Sequence, residues 1–354
     1  MKLFEEKRVL VTGGTGSLGK TLVSRLLAGD FGKPKKIIVF SRDEAKQDRM
    51  RIDLAYKREI TAEVIYSEYR EILDFRIGDV TDFSSVSVAM RDADIVVNAA
   101  AMKQVPTCEY FPYQAVKTNV IGAETIVRAI SELGLPIETV VGISTDKACK
   151  PVNVMGFTKA LQERVFITAN KTCPRTRFIC VRYGNVLASR GSVIPLFLDQ
   201  IRRGGPVTIT TEDMTRFLIS LNQAVDLIVS AVQTAKRGET YVPRIPSAKV
   251  TDVARALIGD KKIETRVIGI RPGEKKNEIM ISEEESARTI CRDAFYVIKP
   301  ILRELWDEDN ITPALSTEFS SADYLMSFDE VVGMLRENNL FELANIEHDE
   351  DLLR

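Results

Sequence analysis

The chain has 354 residues, 45% hydrophobic and 28% charged, enough to bury a large core in one large or two unequal domains. A formal net charge of −1, with no basic stripe studded by aromatics, argues against a nucleic-acid partner. The one histidine, His348, lies in the acidic run Glu347–Asp351, which excludes a Ser-His-Asp triad and a histidine-rich metal site.

Proton transfer therefore falls to Asp, Glu, Lys, Tyr, Cys or water. The cysteines (Cys108, Cys149, Cys173, Cys180, Cys291) are scattered, and none lie two residues apart as zinc knuckles do. Free thiols suit a reducing compartment, so a cytoplasmic protein with no metal is expected. The start, Met1–Arg8, is polar and reads as no signal peptide. No window approaches the roughly 18 apolar residues of a membrane helix.

In chain order, Val- and Ile-rich runs predict strands at Arg8–Thr12, Ile37–Phe40, Phe75–Ile77, Ile95–Asn98, Val140–Ser144 and Phe178–Val181. Between them, Leu18–Ala28, Glu44–Tyr69, Ser84–Met90, Gln114–Leu133 and Met155–Asn170 predict helices. Strand–helix alternation with continuously apolar strands implies a parallel sheet covered on both faces. The charged stretch Glu44–Arg70 reads as a solvated helical excursion. Beyond Tyr183 the rhythm changes. A turn at Arg202–Pro206, a strand at Val207–Thr210, helices at Leu221–Ala235 and Val250–Leu257, and a Pro-Gly turn at Arg271–Glu274 follow. The expected division is 1–183 for the first domain with contributions from later segments, 184–303 for a smaller substrate domain, and an acidic tail, 304–354, as an oligomer arm or partly disordered.

Glycine recurs every third residue in Gly13-Gly14-Thr15-Gly16-Ser17-Leu18-Gly19, between a strand and a helix. Gly13 permits a tight turn after Thr12, Gly16 lets the backbone approach a pyrophosphate, and Gly19 lets helix and sheet pack closely. This is the dinucleotide-binding arrangement of a Rossmann-type, doubly wound α/β sheet, here with a smaller C-terminal α/β substrate domain. The second strand ends in Ser41-Arg42, with Lys46 one helical turn on, where NAD-preferring sites carry an acid. A hydroxyl and two cations suit the 2′-phosphate of NADP. Asp79 and Val80 after the third strand are placed to flank adenine, and Ala99 and Ala101 after the fourth leave room for the ribose.

After the fifth strand come Ser144-Thr145-Asp146-Lys147, and the next helix carries Lys159. Strand ends at this edge of such a sheet face the ligand crevice. A hydroxyl, a carboxylic acid and amines there form a compact acid–base set.

At these residues the chain resembles the extended short-chain dehydrogenases/reductases, and within them the UDP-N-acetylglucosamine 4,6-dehydratases of bacterial surface-glycan pathways. The likeness rests on Ser41-Arg42-Asp43-Glu44, Ala99-Ala100-Ala101-Met102-Lys103, Ser144-Thr145-Asp146-Lys147-Ala148 and Arg182-Tyr183-Gly184-Asn185-Val186. It continues in Ser189-Arg190-Gly191-Ser192-Val193-Ile194-Pro195, Met214-Thr215-Arg216-Phe217 and Arg271-Pro272-Gly273-Glu274-Lys275. Together these segments run, in consistent order, over about residues 7–300 and leave the tail unexplained.

The superfamily's usual tyrosine, four residues before the lysine, is here Met155, which has no proton to exchange. Some members of the dehydratase group resemble this chain in that respect. The resemblance implies NADP as cofactor and a UDP-sugar as substrate. It implies C4 oxidation, with Lys147 removing the C5 hydrogen, Asp146 protonating the departing C6 hydroxyl, and hydride returning to C6. A water held by Thr145 replaces the tyrosine, and Lys159 holds the nicotinamide ribose. Lys147 as base requires a depressed pKa. Asn185, Val186, Arg190, Val193 and Arg216 resemble positions contacting the uridine diphosphate. Arg271 and Glu274 complete that pocket, and Lys103 reaches the hexose or the cofactor. The resemblance also implies a homo-oligomer, a dimer or hexamer, pairing through Gln114–Leu133 and Met155–Asn170. Two other readings stand beside it: a nucleotide-sugar 4-epimerase, and a non-catalytic NADP-binding protein suggested by Met155.

Overall fold

The computed structural model describes residues 2–56, 71–187, 189, 191–307 and 311–343. Among them a nine-stranded sheet forms the centre. Its strands are β1 (Arg8–Thr12), β2 (Lys36–Ser41), β3 (Leu73–Ile77), β4 (Ile95–Asn98), β5 (Thr139–Thr145), β6 (Arg177–Tyr183), β7 (Thr240–Pro243), β8 (Thr289–Arg292) and β9 (Phe295–Ile298). The order across the sheet is β8-β9-β7-β6-β5-β4-β1-β2-β3. Pairing is parallel from β3 through β7 and antiparallel from β7 to β9 and from β9 to β8.

The helices are α1 (Ser17–Ala28), α2 (Glu44–Tyr56), α3 (Phe83–Met90), α4 (Gly122–Leu133), α5 (Val154–Thr172), α6 (Val193–Arg202), α7 (Leu221–Thr234), α8 (Val250–Ile258) and α9 (Phe328–Glu337). Strand side chains alternate between the two faces. Val9, Val11, Ile37 and Val39 meet Leu22 and Leu26 of α1 and Leu227 and Ile228 of α7. Leu10, Ile38 and Phe40 meet Met90 of α3, Ile126 and Ile130 of α4, and Phe166 of α5. The sheet is therefore doubly wound, as its apolar strands predict. The crevice opens where the order reverses beside β1, between the carboxyl ends of β1 and β4.

The first six strands and the helices between them lie where the sequence places them, with ends shifted by one or two residues. The stretch Gln114–Leu133 differs: Pro112–Ala115 is α-helical, a wider π-type turn spans Val116–Ile121, and α4 follows. Of the excursion Glu44–Arg70, the structure describes α2; residues 57–70 lie outside the described residues.

A second layer packs α6, α8 and α9 around Leu198, Ile201, Val253, Leu257, Val331 and Leu335. Part of the expected tail thus folds back on the chain itself, and Phe319–Ser320 also pairs with the strand Ile279–Ile281. The later half returns to the main sheet as well, through β7, β8 and β9. Among the described residues no helix is long and apolar enough to cross a membrane.

Buried charge ties a later segment of the chain to the main sheet. Arg182 of β6 binds both Glu163 oxygens, at 3.0 and 2.6 Å, and both Glu285 oxygens, at 2.8 and 3.1 Å. It also donates to the Met280 carbonyl at 2.7 Å. Burial alone would push the Glu285 carboxyl up, yet Arg182 beside it and the backbone of Ser282 hold it down at about 2. Removing the guanidinium strands two buried carboxylates. Arg182→Met should therefore cost about 3–5 kcal/mol of stability, measured by urea unfolding near neutral pH.

Candidate active site

The loop after β1 is built by close approach. Thr12 Oγ1 donates to Asn98 Oδ1 at 2.7 Å and accepts from the Ala100 N–H at 3.2 Å, locking the β1 and β4 ends together. Gly13 has φ +65°, and a Cβ there would stand 2.8 Å from the Ala100 nitrogen. At Gly19 a Cβ would meet the Gly14 backbone at 2.6 Å, so α1 packs against its own approach loop. Gly16 caps α1 and gives it no side-chain cap. The Thr15-Gly16-Ser17-Leu18 segment thus presents a helix N-terminus to the crevice, a form that receives a diphosphate.

At the tip of β2, Ser41 Oγ accepts from Gln47 Nε2 at 3.0 Å, so its hydroxyl is already engaged. Arg42 lies 3.3 Å from Asp79 and is 68% exposed. Lys46 pairs with Asp43 at 2.7 Å on the surface. Burial would raise the Asp79 carboxyl, but hydrogen bonds from Thr81 and the charge of Arg42 bring it below its ordinary value. Val80 is buried, with its side chain where a Cβ on Gly122 would fall. Ala99 and Ala101 are half-buried, and Lys103 is exposed.

The acid–base cluster stands at the end of β5. A single 3₁₀ turn, Asp146–Ala148, follows Thr145, whose hydroxyl accepts from the Lys147 N–H at 3.4 Å and donates to Asp146 Oδ1 at 2.9 Å. Lys147 Nζ donates to the same Asp146 oxygen at 3.0 Å and lies 3.2 Å from Glu278 Oε1. The Asp146 side chain is 0% exposed, that of Glu278 2%, and that of Lys147 20%, so Lys147 is the least enclosed of the three.

Burial raises the Asp146 carboxyl pKa, Lys147 opposes that, and the Glu278 charge adds to it; the net direction is up. For Lys147 the sequence requires a depressed pKa, and the structure corrects this. Burial does push the amine down, but two carboxylates, Asp146 and Glu278, outweigh burial and the opposing Arg216, and the net direction is up. Burial does lower two other lysines of the site, Lys159, to about 8, and Lys275.

Helix α5 is docked on this turn. Its cap, Asn153, accepts from the Gly156 N–H at 2.8 Å and donates to the Gly273 carbonyl at 2.7 Å. A Cβ on Gly156 would stand 2.3 Å from the Lys147 carbonyl oxygen. Met155 is buried with Cys108 and Ala115, beside Met102 and Val105. Lys159 Nζ donates to the Ile143 carbonyl at 2.7 Å and to Gln162 Oε1 at 2.8 Å. Asn119, in the π-type turn, grips Met102 on both backbone polar atoms, at 2.8 and 3.0 Å, and donates to Thr158 at 2.9 Å.

The expected diphosphate residues converge less fully. Asn185, Val186, Val193 and Glu274 are half-buried, and Arg271 is exposed. Arg190 lies outside the described residues. Arg216 is 8% exposed and donates to the carbonyls of Thr215, Lys275 and Lys276 at 2.7, 3.0 and 3.1 Å. Its guanidinium is engaged by backbone rather than open as a fork. Asn185 Oδ1 and Glu274 Oε2 are buried acceptors without a hydrogen-bond partner among the described residues. Glu278, Asn119 and Asn153 escape sequence reading. The signal for Asn153 was its place as an N-cap just before the next helix; Glu278 and Asn119 carry no local mark, because their partners lie farther away along the chain.

Residues 9–300 match the family described as polysaccharide biosynthesis protein. The chain belongs to this family. A UDP-N-acetylglucosamine 4,6-dehydratase (inverting) from Campylobacter jejuni serotype O:2 is 43% identical to this family member over 311 residues, 87% of each chain. A protein named UDP-glucose 4-epimerase from Rickettsia akari is 42% identical over 308 residues, 86% of each. Among solved structures, Pen from Bacillus thuringiensis superposes with a TM-score of 0.83 at 33% identity, covering 95% of this chain and 99% of its own. The dTDP-glucose 4,6-dehydratase DesIV of Streptomyces venezuelae, solved with NAD, shares the fold at a TM-score of 0.64 and 20% identity, over 76% of this chain and 86% of its own. The family member is thus an extended short-chain dehydrogenase/reductase on a Rossmann-type α/β sheet.

The tight approach at Gly156 packs α5 directly against the Asp146–Ala148 turn. Gly156→Ala sets a methyl against backbone that has little room to shift. It should lower stability by about 1–3 kcal/mol, read from chemical denaturation.

Proposed function

We propose that this protein is an NADP-dependent UDP-N-acetylglucosamine 4,6-dehydratase, which makes a UDP-4-keto-6-deoxy-N-acetylhexosamine for bacterial surface glycan. The observation that carries the reading is the Asp146–Lys147 pair, joined at 3.0 Å at the carboxyl end of β5, with Lys147 the more exposed partner. Elimination across C5 and C6 needs a base and an acid together, and this pair supplies both.

NADP⁺ supplies reversible hydride acceptance at C4 and return at C6. Gly13, Gly16 and Gly19 fit the diphosphate, Arg42 and Lys46 the 2′-phosphate, and Lys159, freed from one of its present acceptors, the ribose. The C4 hydroxyl proton leaves through a water held by Thr145. Met155 has no place in that transfer; it fills the apolar space beside Cys108 and Ala115. Asp146, kept protonated by burial, delivers its proton to the C6 oxygen. Lys147 takes the C5 hydrogen as the neutral amine. Passing its proton across 3.0 Å to Asp146 produces both reactive forms at once. C5 regains a proton, ultimately from solvent, as hydride reaches C6, offsetting the proton released from the C4 hydroxyl. Asn185, Arg216, Arg271 and Glu274 line the side from which a UDP group approaches, and Arg216 must exchange a carbonyl for a phosphate oxygen to bind it.

The relatives named 4-epimerase favour a second reading, and one experiment separates the two. In an NMR time course with UDP-N-acetylglucosamine in deuterated water, a dehydratase yields a C6 methyl signal and deuterium at C5. A C4 epimer with its C6 hydroxymethyl intact would overturn the proposal. Enzyme reconstituted with NAD⁺ in place of NADP⁺ should turn over more slowly, and equal rates would remove the cofactor preference.

The pairing helices leave apolar groups in solvent: Phe157 is 52% and Leu161 51% exposed on α5. This supports a homo-oligomer built through that face. Light scattering at micromolar concentration should exceed the 39.6 kDa of one chain, and a monomer alone would contradict it.

A further inference from the structure

Glu278 does not belong to the acid–base pair, yet the fold goes to some length to hold it there. Its backbone N–H donates to Ser321 Oγ at 2.9 Å, and its carbonyl accepts from the Ser321 N–H at 2.8 Å. The Ser321 hydroxyl is in turn fixed to Thr215 Oγ1 at 2.6 Å. The carboxylate so placed has one oxygen 3.2 Å from Lys147 Nζ. Its other oxygen is buried, without a hydrogen bond among the described residues.

The charges facing it come from three segments. Lys147 stands on the turn after β5, Arg216 Nε lies 4.0 Å away from the strand Thr215–Ile219, and Lys275 Nζ lies 4.0 Å away on its own loop. Lys275 is tied to the Cys149 carbonyl at 2.7 Å. The Cys149 thiol is pushed up to about 12 by burial, so it adds no charge near neutrality. Asp146 is the remaining titratable group, on the far side of the amine.

We propose that Glu278 is a positioning residue whose fixed negative charge keeps one proton on the Asp146–Lys147 pair. The inference rests on the dehydratase reading of that pair. With one proton between them, the pair is either ammonium and carboxylate or amine and carboxylic acid, and both forms are neutral overall. Losing that proton leaves two buried carboxylates on one uncharged amine, 3.0 and 3.2 Å from it. Coulomb repulsion in so dry a place makes this state costly. Glu278 itself stays ionised: burial would raise its carboxyl, but Lys147, Arg216 and Lys275 carry it below its ordinary value. Its charge is therefore constant while the proton moves between its two neighbours. The sharing is an internal transfer, with no gain or loss to solvent.

Loss of the shared proton is the event that ends activity at high pH, so the alkaline limb of the kcat/KM profile reports on it. Glu278→Gln keeps the shape and removes the charge; its alkaline limb should fall by about 1–3 pH units, the range for a close charged neighbour. Glu278→Asp keeps the charge, and its limb should stay nearer that of the parent. Lys275→Met removes a cation that offsets Glu278, so its limb should move upward; this variant decides the matter if Glu278→Gln does not fold. A purely structural contact would lower kcat for both Glu278 variants equally at every pH, and that result overturns the proposal.

A second readout does not depend on the reaction. In ligand-free protein labelled at lysine Cε, the NMR titration of Lys147, assigned by loss of its signal in Lys147→Met, should move to lower pH in Glu278→Gln. An unchanged Lys147 titration overturns the inference even if the enzyme is a dehydratase. A shifted titration in a protein that forms no 4-keto product sustains the electrostatic assignment and removes the dehydratase reading alone.

Discussion

Charge taken out of water must be matched from nearby, and the whole site depends on that constraint. Asp146 and Glu278 are both buried; Asp146 is matched by its neighbour Lys147, while Glu278 draws on Lys147 and Arg216 from elsewhere in the chain. Lys147 sits between them, Arg216 approaches from the second layer, and Lys275 comes from the loop that also touches Cys149. The same rule operates again with Arg182, between Glu163 and Glu285. Each cluster joins segments more than a hundred residues apart. Hydrophobic packing forms the two layers, and paired charge fixes how they meet. The crevice lies along that junction, so its geometry is set by the least forgiving interactions in the molecule.

The sheet was legible because its signals are local. Val9–Val11, Ile37–Val39 and Val140–Val141 are apolar on both faces, and that pattern fits a strand covered from both sides. Gly13, Gly16 and Gly19 announce their loop by spacing alone. Thr145, Asp146 and Lys147 are ordinary loop residues by type; their place at the carboxyl end of a central parallel strand is what singled them out. The wide turn at Val116–Ile121 was not, since a π-type turn differs from an α-helix by one hydrogen-bond step and leaves the apolar rhythm nearly intact.

The direction of the Lys147 shift was also beyond local reading. Sequence shows Asp146, the larger of the two carboxylate effects, beside it, but Glu278, which adds to that effect, lies more than a hundred residues further on. What already faces Arg216 was equally beyond local reading. An arginine in a matching motif suggests an open fork, whereas here three carbonyls of neighbouring backbone already occupy it. In both cases composition named the right kind of group, and only the fold could say what already faced it.

The placement of β7 bears on how the chain is put together. It pairs in parallel with β6, which ends at Tyr183, yet it is formed by residues 240–243, after the chain has left to begin the second layer. A fragment ending near Tyr183 would therefore carry every glycine of the nucleotide loop and the whole acid–base turn, with β6 left as a bare edge. Unpaired N–H and C=O groups along a flat, apolar strand invite pairing with another molecule. On the ribosome the same exposure lasts until sixty further residues have emerged. The later half thus serves as a cover for the earlier half's most adhesive surface, and the two are one unit of synthesis however separately they contribute to the crevice.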